Sequence, residues 1–179
     1  MKAAITIRAE QPDDSAAIRE VVLRAYANVA YSDHREHLMI DRLRATSAYS
    51  PTLSLLAEKD GELIGHILLT RAHIVGARSS VATLALAPLS VVPQHQSNGV
   101  GKSLVEAAHR RASDLGFATI LVVGTPAYYP QFGYKPLSSY PITLPFDAPD
   151  QNCMILPLKP HALDGVAGIV QYAEGWLDH

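Results

Sequence analysis

Apolar residues recur along this chain at two different spacings, and the switches between them mark out its elements. A short strand is expected at 5–8. Ile18, Val21, Val22, Ala25 and Val29 then fall three or four residues apart behind the capping residues Asp13-Asp14-Ser15, which predicts a helix over 14–29. A second helix is predicted over 34–44, with Leu38, Met39 and Leu43 turned inward. Runs of strand character follow at 52–59, 62–75 and 80–92. Asp60-Gly61 between the first two is a hairpin signal, because both residues of such a turn adopt positive φ. Pro88 has no N–H to give a ladder, so a bulge or an unpaired side is expected there. Val100, Leu104, Ala108, Ala112 and Leu115 return to helical spacing, and Gly116 closes that helix.

The remainder reads as a buried strand at 118–123, at most a helical turn at 127–132, and late strands at 134–144 and 152–158. Val166, Ile169, Val170, Ala173 and Trp176 predict a final helix, weakened by Gly165 and Gly168. This order gives an α/β fold with a mixed, mostly antiparallel central sheet flanked by helices, not a repeating βαβ unit. With no internal repeat or long linker, residues 1–179 are expected to form a single domain.

Composition narrows the function classes. Fifteen basic residues against 17 acidic ones give a net charge of −2, so no basic excess points to nucleic acid. Cys153 is the lone cysteine, which excludes an internal disulfide and a multi-cysteine zinc site and points to a reducing cytoplasm. The N-terminal stretch from Met1 to Arg8 lacks the apolar run of a signal peptide, and no later run approaches a membrane span. The histidines show no metal-ligand pattern beyond His34 and His37, so no metal is expected. No G-x-S-x-G marks a serine hydrolase.

The chemistry concentrates in Gln96-Ser97-Asn98-Gly99-Val100-Gly101-Lys102-Ser103, between a strand and a helix. A helix start leaves backbone N–H groups without partners and carries partial positive charge, so it suits a phosphate. Gly99 and Gly101 remove side chains that would hold a phosphate off the backbone, and Lys102 and Ser103 add a cation and a hydroxyl. A nucleotide-triphosphate loop requires glycine where this chain has Gln96, and a dinucleotide fingerprint requires a third glycine where it has Leu104.

Q-x-x-G-x-G after an apolar strand resembles the acyl-CoA-binding motif of the GNAT (general N-acetyltransferase) superfamily, in its bacterial form. Leu89-Ser90-Val91-Val92-Pro93 before the loop, Leu104 after it, and Tyr129-Pro130-Gln131-Phe132-Gly133-Tyr134 are similar to the same family over 84–137. The resemblance implies splayed central strands, with the pantetheine arm of acetyl-CoA against the backbone of Leu89, Ser90 and Val91. It implies that the pyrophosphate meets the amides of Ser97, Asn98, Gly99, Val100, Gly101, Lys102 and Ser103, with Gln96 heading the motif. An N–H near Ser90 or Val91 would stabilise the oxyanion, and Tyr129 would be the general acid. Tyr128 adjoins it, but the spacing to Gly133 favours Tyr129; packing of the turn is the competing role. Acetyl, or a similar small acyl group, would pass directly to a primary amine of a small molecule or peptide. A homodimer is an ordinary arrangement for the family.

One departure stands out. Relatives often carry a glutamate base on a central strand, and this chain has no carboxylate over 80–92 or 118–125. Asp33, His34 and Glu36 are the alternative bases, each also readable as a solvated group. His66 and His73 fit core or edge positions, His95 an exposed one, and Cys153 a buried structural thiol. A non-catalytic acyl-CoA-binding or sensing module therefore stays open beside the enzyme.

Overall fold

The structure is a computed structural model that describes residues 4–177; residues 1–3, part of the stretch read for a signal peptide, and 178–179 lie outside the described residues. In chain order the elements are β1 (Thr6–Ala9), α1 (Ser15–Tyr26), α2 (Glu36–Arg44), β2 (Ser54–Lys59), β3 (Glu62–Val75), β4 (Ser80–Val91), α3 (Val100–Asp114), β5 (Thr119–Val123), β6 (Lys135–Pro136), β7 (Ile142–Thr143), β8 (Cys153–Pro157) and β9 (Gly168–Gln171).

The strands of the described residues join one sheet in the order β1-β2-β3-β4-β5-β8-β6, and β9 bridges β3 and β7. Pairing is antiparallel except for β4 with β5 and β7 with β9. The β2–β3 turn has Asp60 at φ 53° and Gly61 at φ 77°, as the Asp-Gly pair requires. One face of the sheet carries α1 and α2, through Ile18, Val22, Ile40 and Leu43 against Leu56 and Leu68. The other carries α3, whose Val100, Leu104, Val105, Ala108 and Ala112 pack on Leu55, Ile67 and Leu69. Gly116, at φ 87°, ends α3: its N–H reaches Ser113 C=O at 3.0 Å, and the Phe117 N–H reaches Ala112 C=O at 3.1 Å.

Five expectations need correction. The first helix stops at Tyr26, short of Val29, and α2 buries Ile40 with Leu43 while Leu38 and Met39 are half-buried. Leu115 sits at the end of α3 with 47% of its surface exposed, off the buried stripe. The segment 134–144 makes two short strands, because Pro136 and Pro141 cannot donate to a continuous ladder. The final helix is absent, and β9 takes its place. Ile169 and Gln171 are exposed while Val170 between them is buried, so the working period is two. Gly168 has φ 144°, and a Cβ there would lie 2.2 Å from the Val75 carbonyl oxygen. Close backbone approach at the sheet, not helix propensity, explains that glycine.

Candidate active site

The site grows out of the middle of β4. Upstream, Leu84, Ala85 and Leu86 pair with Ile120, Leu121 and Val122 of β5. No pairing to β5 follows, although β4 stays paired to β3 as far as Gly65 and Val91. The register slips between Ile67 and Leu69, where Leu89 and Leu86 are the partners, so β4 holds one extra residue at Ala87-Pro88. This is the bulge expected from Pro88. Beyond it the two strands diverge, and the β4 edge over Leu89, Ser90 and Val91 lacks a neighbour strand on the β5 side.

That edge is not wholly vacant. The Tyr26 hydroxyl, at the last turn of α1, donates to the Leu89 carbonyl at 2.8 Å. With the Gln96 amide on the Val91 carbonyl, two acceptors of the edge assigned to pantetheine already hold a protein donor. The Ser90 side chain is 1% exposed and lies beside the Tyr26 hydroxyl, on a residue paired with His66 of β3. Leu89 and Val91 instead face an open hollow.

At the end of β4, Gln96 turns back and its Nε2 donates to the Val91 carbonyl at 3.0 Å, which fastens the loop to the strand. Ser97 (φ 63°) and Gly99 (φ 83°) both adopt left-handed backbone. A Cβ on Gly99 would meet nothing within 4 Å, so its glycine is a matter of φ. Gly101 differs, because a Cβ there would lie 2.9 Å from the Tyr128 hydroxyl. Ser103 is corrected here: its N–H donates to Gly99 C=O at 3.0 Å as the first helical bond, so it can offer only its hydroxyl. Among the described residues, no protein acceptor takes the N–H of Ser97, Asn98, Gly99, Val100, Gly101 or Lys102. α3 has no side-chain cap. A patch of donors and a positive helix end are left for an anion. The Lys102 ammonium is exposed beside it, 4.0 Å from Glu106. The Val100 side chain is buried in the core, which leaves it its backbone alone to offer, and the Asn98 side chain is exposed.

These groups border a hollow of about 320 Å³ lined by Gln96, Ser97, Gly99, Gly101 and Lys102 together with Leu89, Val91 and Tyr128. Leu89 and Tyr128 also line a second hollow, of about 540 Å³, that reaches Tyr129. The two hollows adjoin at Leu89 and Tyr128, between the loop amides and Tyr129, and are together called the groove. The Tyr129 ring is 7% exposed and meets Tyr128 and Tyr134 edge-on, at centroid distances of 5.1 and 5.4 Å. A Cβ on Gly124 would fall 2.5 Å from this ring, so the glycine makes room for it. Burial, and then the neighbouring Tyr26, Tyr128 and Tyr31, push the Tyr129 hydroxyl well above the usual phenol range. It stays a neutral O–H donor at physiological pH.

None of the alternative bases lines either hollow. Asp33 accepts from the Arg35 backbone N–H at 2.9 Å, Glu36 accepts from the Ser32 hydroxyl through Oε1, and His34 is exposed, with its backbone N–H on Ser32 Oγ at 2.9 Å. His66 is fully buried, with Nε2 2.9 Å from Ser54 Oγ, and burial, then Arg44, pulls it down to about 3. It is a core histidine, as expected. His73 is exposed on a face of the sheet, where β3 is paired on both sides, to Ala82 and Gln171, so neither a core nor an edge position describes it, and His95 is half-buried in the turn before the loop. Cys153 is 7% exposed in the separate apolar cluster around Ile155 and Val170. Sequence reasoning missed Tyr26, Tyr31, Gly124 and Asn152, which the fold brings to the groove from three distant segments. No local signal marks them.

Residues 16–134 match the Acetyltransferase (GNAT) family. The chain belongs to the GNAT family of acetyltransferases. The acetyltransferase is 32% identical over 166 residues to the uncharacterised N-acetyltransferase YjhQ of Escherichia coli K12, covering 89% of each chain. A GNAT family acetyltransferase from Brucella melitensis, solved in complex with acetyl-CoA, superposes with a TM-score of 0.79 at 32% identity, over 97% of this chain and 99% of that one. The fold is also that of YhbS from Escherichia coli, solved with CoA, at a TM-score of 0.88 and 23% identity, over 98% and 93%. As a family member this is an acyl-transferring enzyme that takes an amine acceptor, and nothing in its site favours the alternative of a non-catalytic binding module.

Proposed function

We propose that this enzyme takes acetyl-CoA as co-substrate and moves its acetyl group directly onto a primary amine, with Tyr129 as general acid. The groove from the idle amides at 97–102 to the Tyr129 phenol carries this reading. The diphosphate of acetyl-CoA accepts from those amides, with Lys102 and the Ser103 hydroxyl beside it. Gln96 holds the loop against β4 and need not touch the ligand. The pantetheine arm lies along the unpaired edge at Leu89, Ser90 and Val91, in the manner of an added strand.

The neutral amine nitrogen attacks the thioester carbonyl, and an N–H at Ser90 or Val91 holds the oxyanion. The N–C bond forms, the C–S bond breaks, and the leaving thiolate takes the Tyr129 proton. The proton from the amine leaves to water, because no carboxylate or imidazole lines the groove. Water then reprotonates the phenolate. A thiol of pKa about 8.5 leaves with modest help, which suits a phenol as acid.

The lone buried thiol of Cys153 supports a reducing, cytoplasmic setting. The working unit is a single domain over 1–179. Exposed Val75, Ile169 and Leu177 around the C-terminal strand support a homodimer contact. The test is release of free thiol from acetyl-CoA in the presence of amines. Gly101→Glu puts bulk against Tyr128 and a negative charge at the diphosphate. It should raise the KM for acetyl-CoA about 100-fold, or about 2.7 kcal/mol, at unchanged melting temperature. An unaltered KM would remove the loop from the binding site.

A further inference from the structure

The groove beyond the loop has an unusual wall. Tyr26, Tyr31, Tyr128 and Tyr129 bring four aromatic rings to the hollow of about 540 Å³. The rest of its lining is aliphatic, proline or glycine, apart from Thr125 and Asn152. No lysine, arginine, histidine, aspartate or glutamate lines it. Tyr31 is 85% exposed, so its ring stands at the open mouth.

One charge lies behind this wall. Glu36 opens α2, and its Oε1 is held by the Ser32 hydroxyl. Its Oε2 is buried without a hydrogen-bond partner. The Tyr26 hydroxyl feels that carboxylate: burial first, and Glu36 next, push the phenol above its usual range. Glu36 thus sets a negative charge behind Tyr26, and the cavity lining holds no cation to offset it.

Those features select among amines. An amino acid brings a carboxylate that needs a cationic partner, and burying it without one is costly. A polyamine brings a second ammonium that needs its own acid. One ammonium on an apolar body meets neither penalty. Its charge is favoured over aromatic faces and by one carboxylate, and an aromatic body packs edge-on or offset against the tyrosines. We propose that the acceptor is a small arylalkylamine-type primary amine, singly charged and free of carboxylate, with Tyr31 and Glu36 as its specificity determinants. This rests on the acyl-transfer reading of the same groove.

The test compares kcat/KM, by thiol release at saturating acetyl-CoA, for 2-phenylethylamine, spermidine, glycine and a lysine-containing peptide. The first should exceed each of the others at least tenfold. Tyr31→Ala should raise the KM for 2-phenylethylamine about tenfold and leave the KM for acetyl-CoA unchanged. Glu36→Gln should raise the same amine KM several-fold. Equal or better turnover of spermidine, glycine or the peptide overturns the inference and leaves acyl transfer standing, as does an unchanged amine KM in Tyr31→Ala. No thiol release with any of the four amines overturns both.

Discussion

Two regions of this molecule are rich in polar groups, and they treat those groups in opposite ways. Around Glu10, on the α1–α2 face, every carboxylate oxygen is engaged. Oε1 takes Arg44 at 3.0 Å and the Ser54 hydroxyl at 3.0 Å, while Oε2 takes the Tyr49 hydroxyl and Arg44 Nε. Ser54 donates to Glu10, so it accepts from His66 Nε2–H, and every oxygen of the Glu10 carboxylate is met inside the protein, while the buried Nδ1 of His66 ends the chain without a partner. The loop at 97–102 holds a comparable density of donors and gives them nothing. A charged cluster that satisfies itself is scaffold. Donors left idle beside a groove are an invitation to a ligand.

The sharpest way to break this contrast is to damage the scaffold. Glu10→Ala leaves the partly buried Arg44 with Asp41 as its one carboxylate partner and removes the acceptor of Ser54 and Tyr49. It should cost about 3 kcal/mol, or roughly 10 °C in melting temperature, with the KM for acetyl-CoA unchanged in the folded fraction. A large rise in that KM would show that the two regions are coupled. Next in size is Tyr129→Phe, which should lower kcat about 100-fold, or about 2.7 kcal/mol of barrier, and leave stability within about 1 kcal/mol. Equal kcat in the two proteins would reduce Tyr129 to a packing residue.

A third comparison separates the regions by pH. His66 and His109 are held at about 3 and about 4 by burial, against 6.5 for a free histidine. Below pH 6.5 the unfolded chain binds protons that the folded chain refuses, so stability is full above that pH and falls as pH drops toward 4. Each histidine contributes at most about 1.4 kcal/mol per pH unit in this window. Urea midpoints from pH 7 to pH 4 should fall, and His66→Gln should flatten the slope. A midpoint independent of pH would mean that both imidazoles are open to protons.

What was legible in the sequence follows the range of the forces involved. The Asp60-Gly61 hairpin, the Pro88 bulge and the start of α3 are local, and each arises from the backbone preferences of one or two residues. β9 was not legible, because a short apolar run fits either period. The decisive fact, contact of Gly168 with Val75, joins residues far apart in sequence. The site divides the same way. Its loop and Tyr129 carry a recognisable order, whereas Tyr26 reaches Leu89 from the last turn of a distant helix. Gly124 matters because of the ring it admits, and Glu36 because of the oxygen it leaves bare; neither fact is written in the neighbouring residues.

The start of α3 has a consequence for how this enzyme responds to its co-substrate. Serine, threonine, asparagine or aspartate commonly closes a helix start, yet Gly99 has no side-chain oxygen to do so here. An anion bound at 99–102 therefore finishes a piece of secondary structure that the polypeptide leaves incomplete. Amide protons of Val100, Gly101 and Lys102 should exchange quickly in the empty enzyme and slowly once CoA is bound, while those in the middle of the helix barely change.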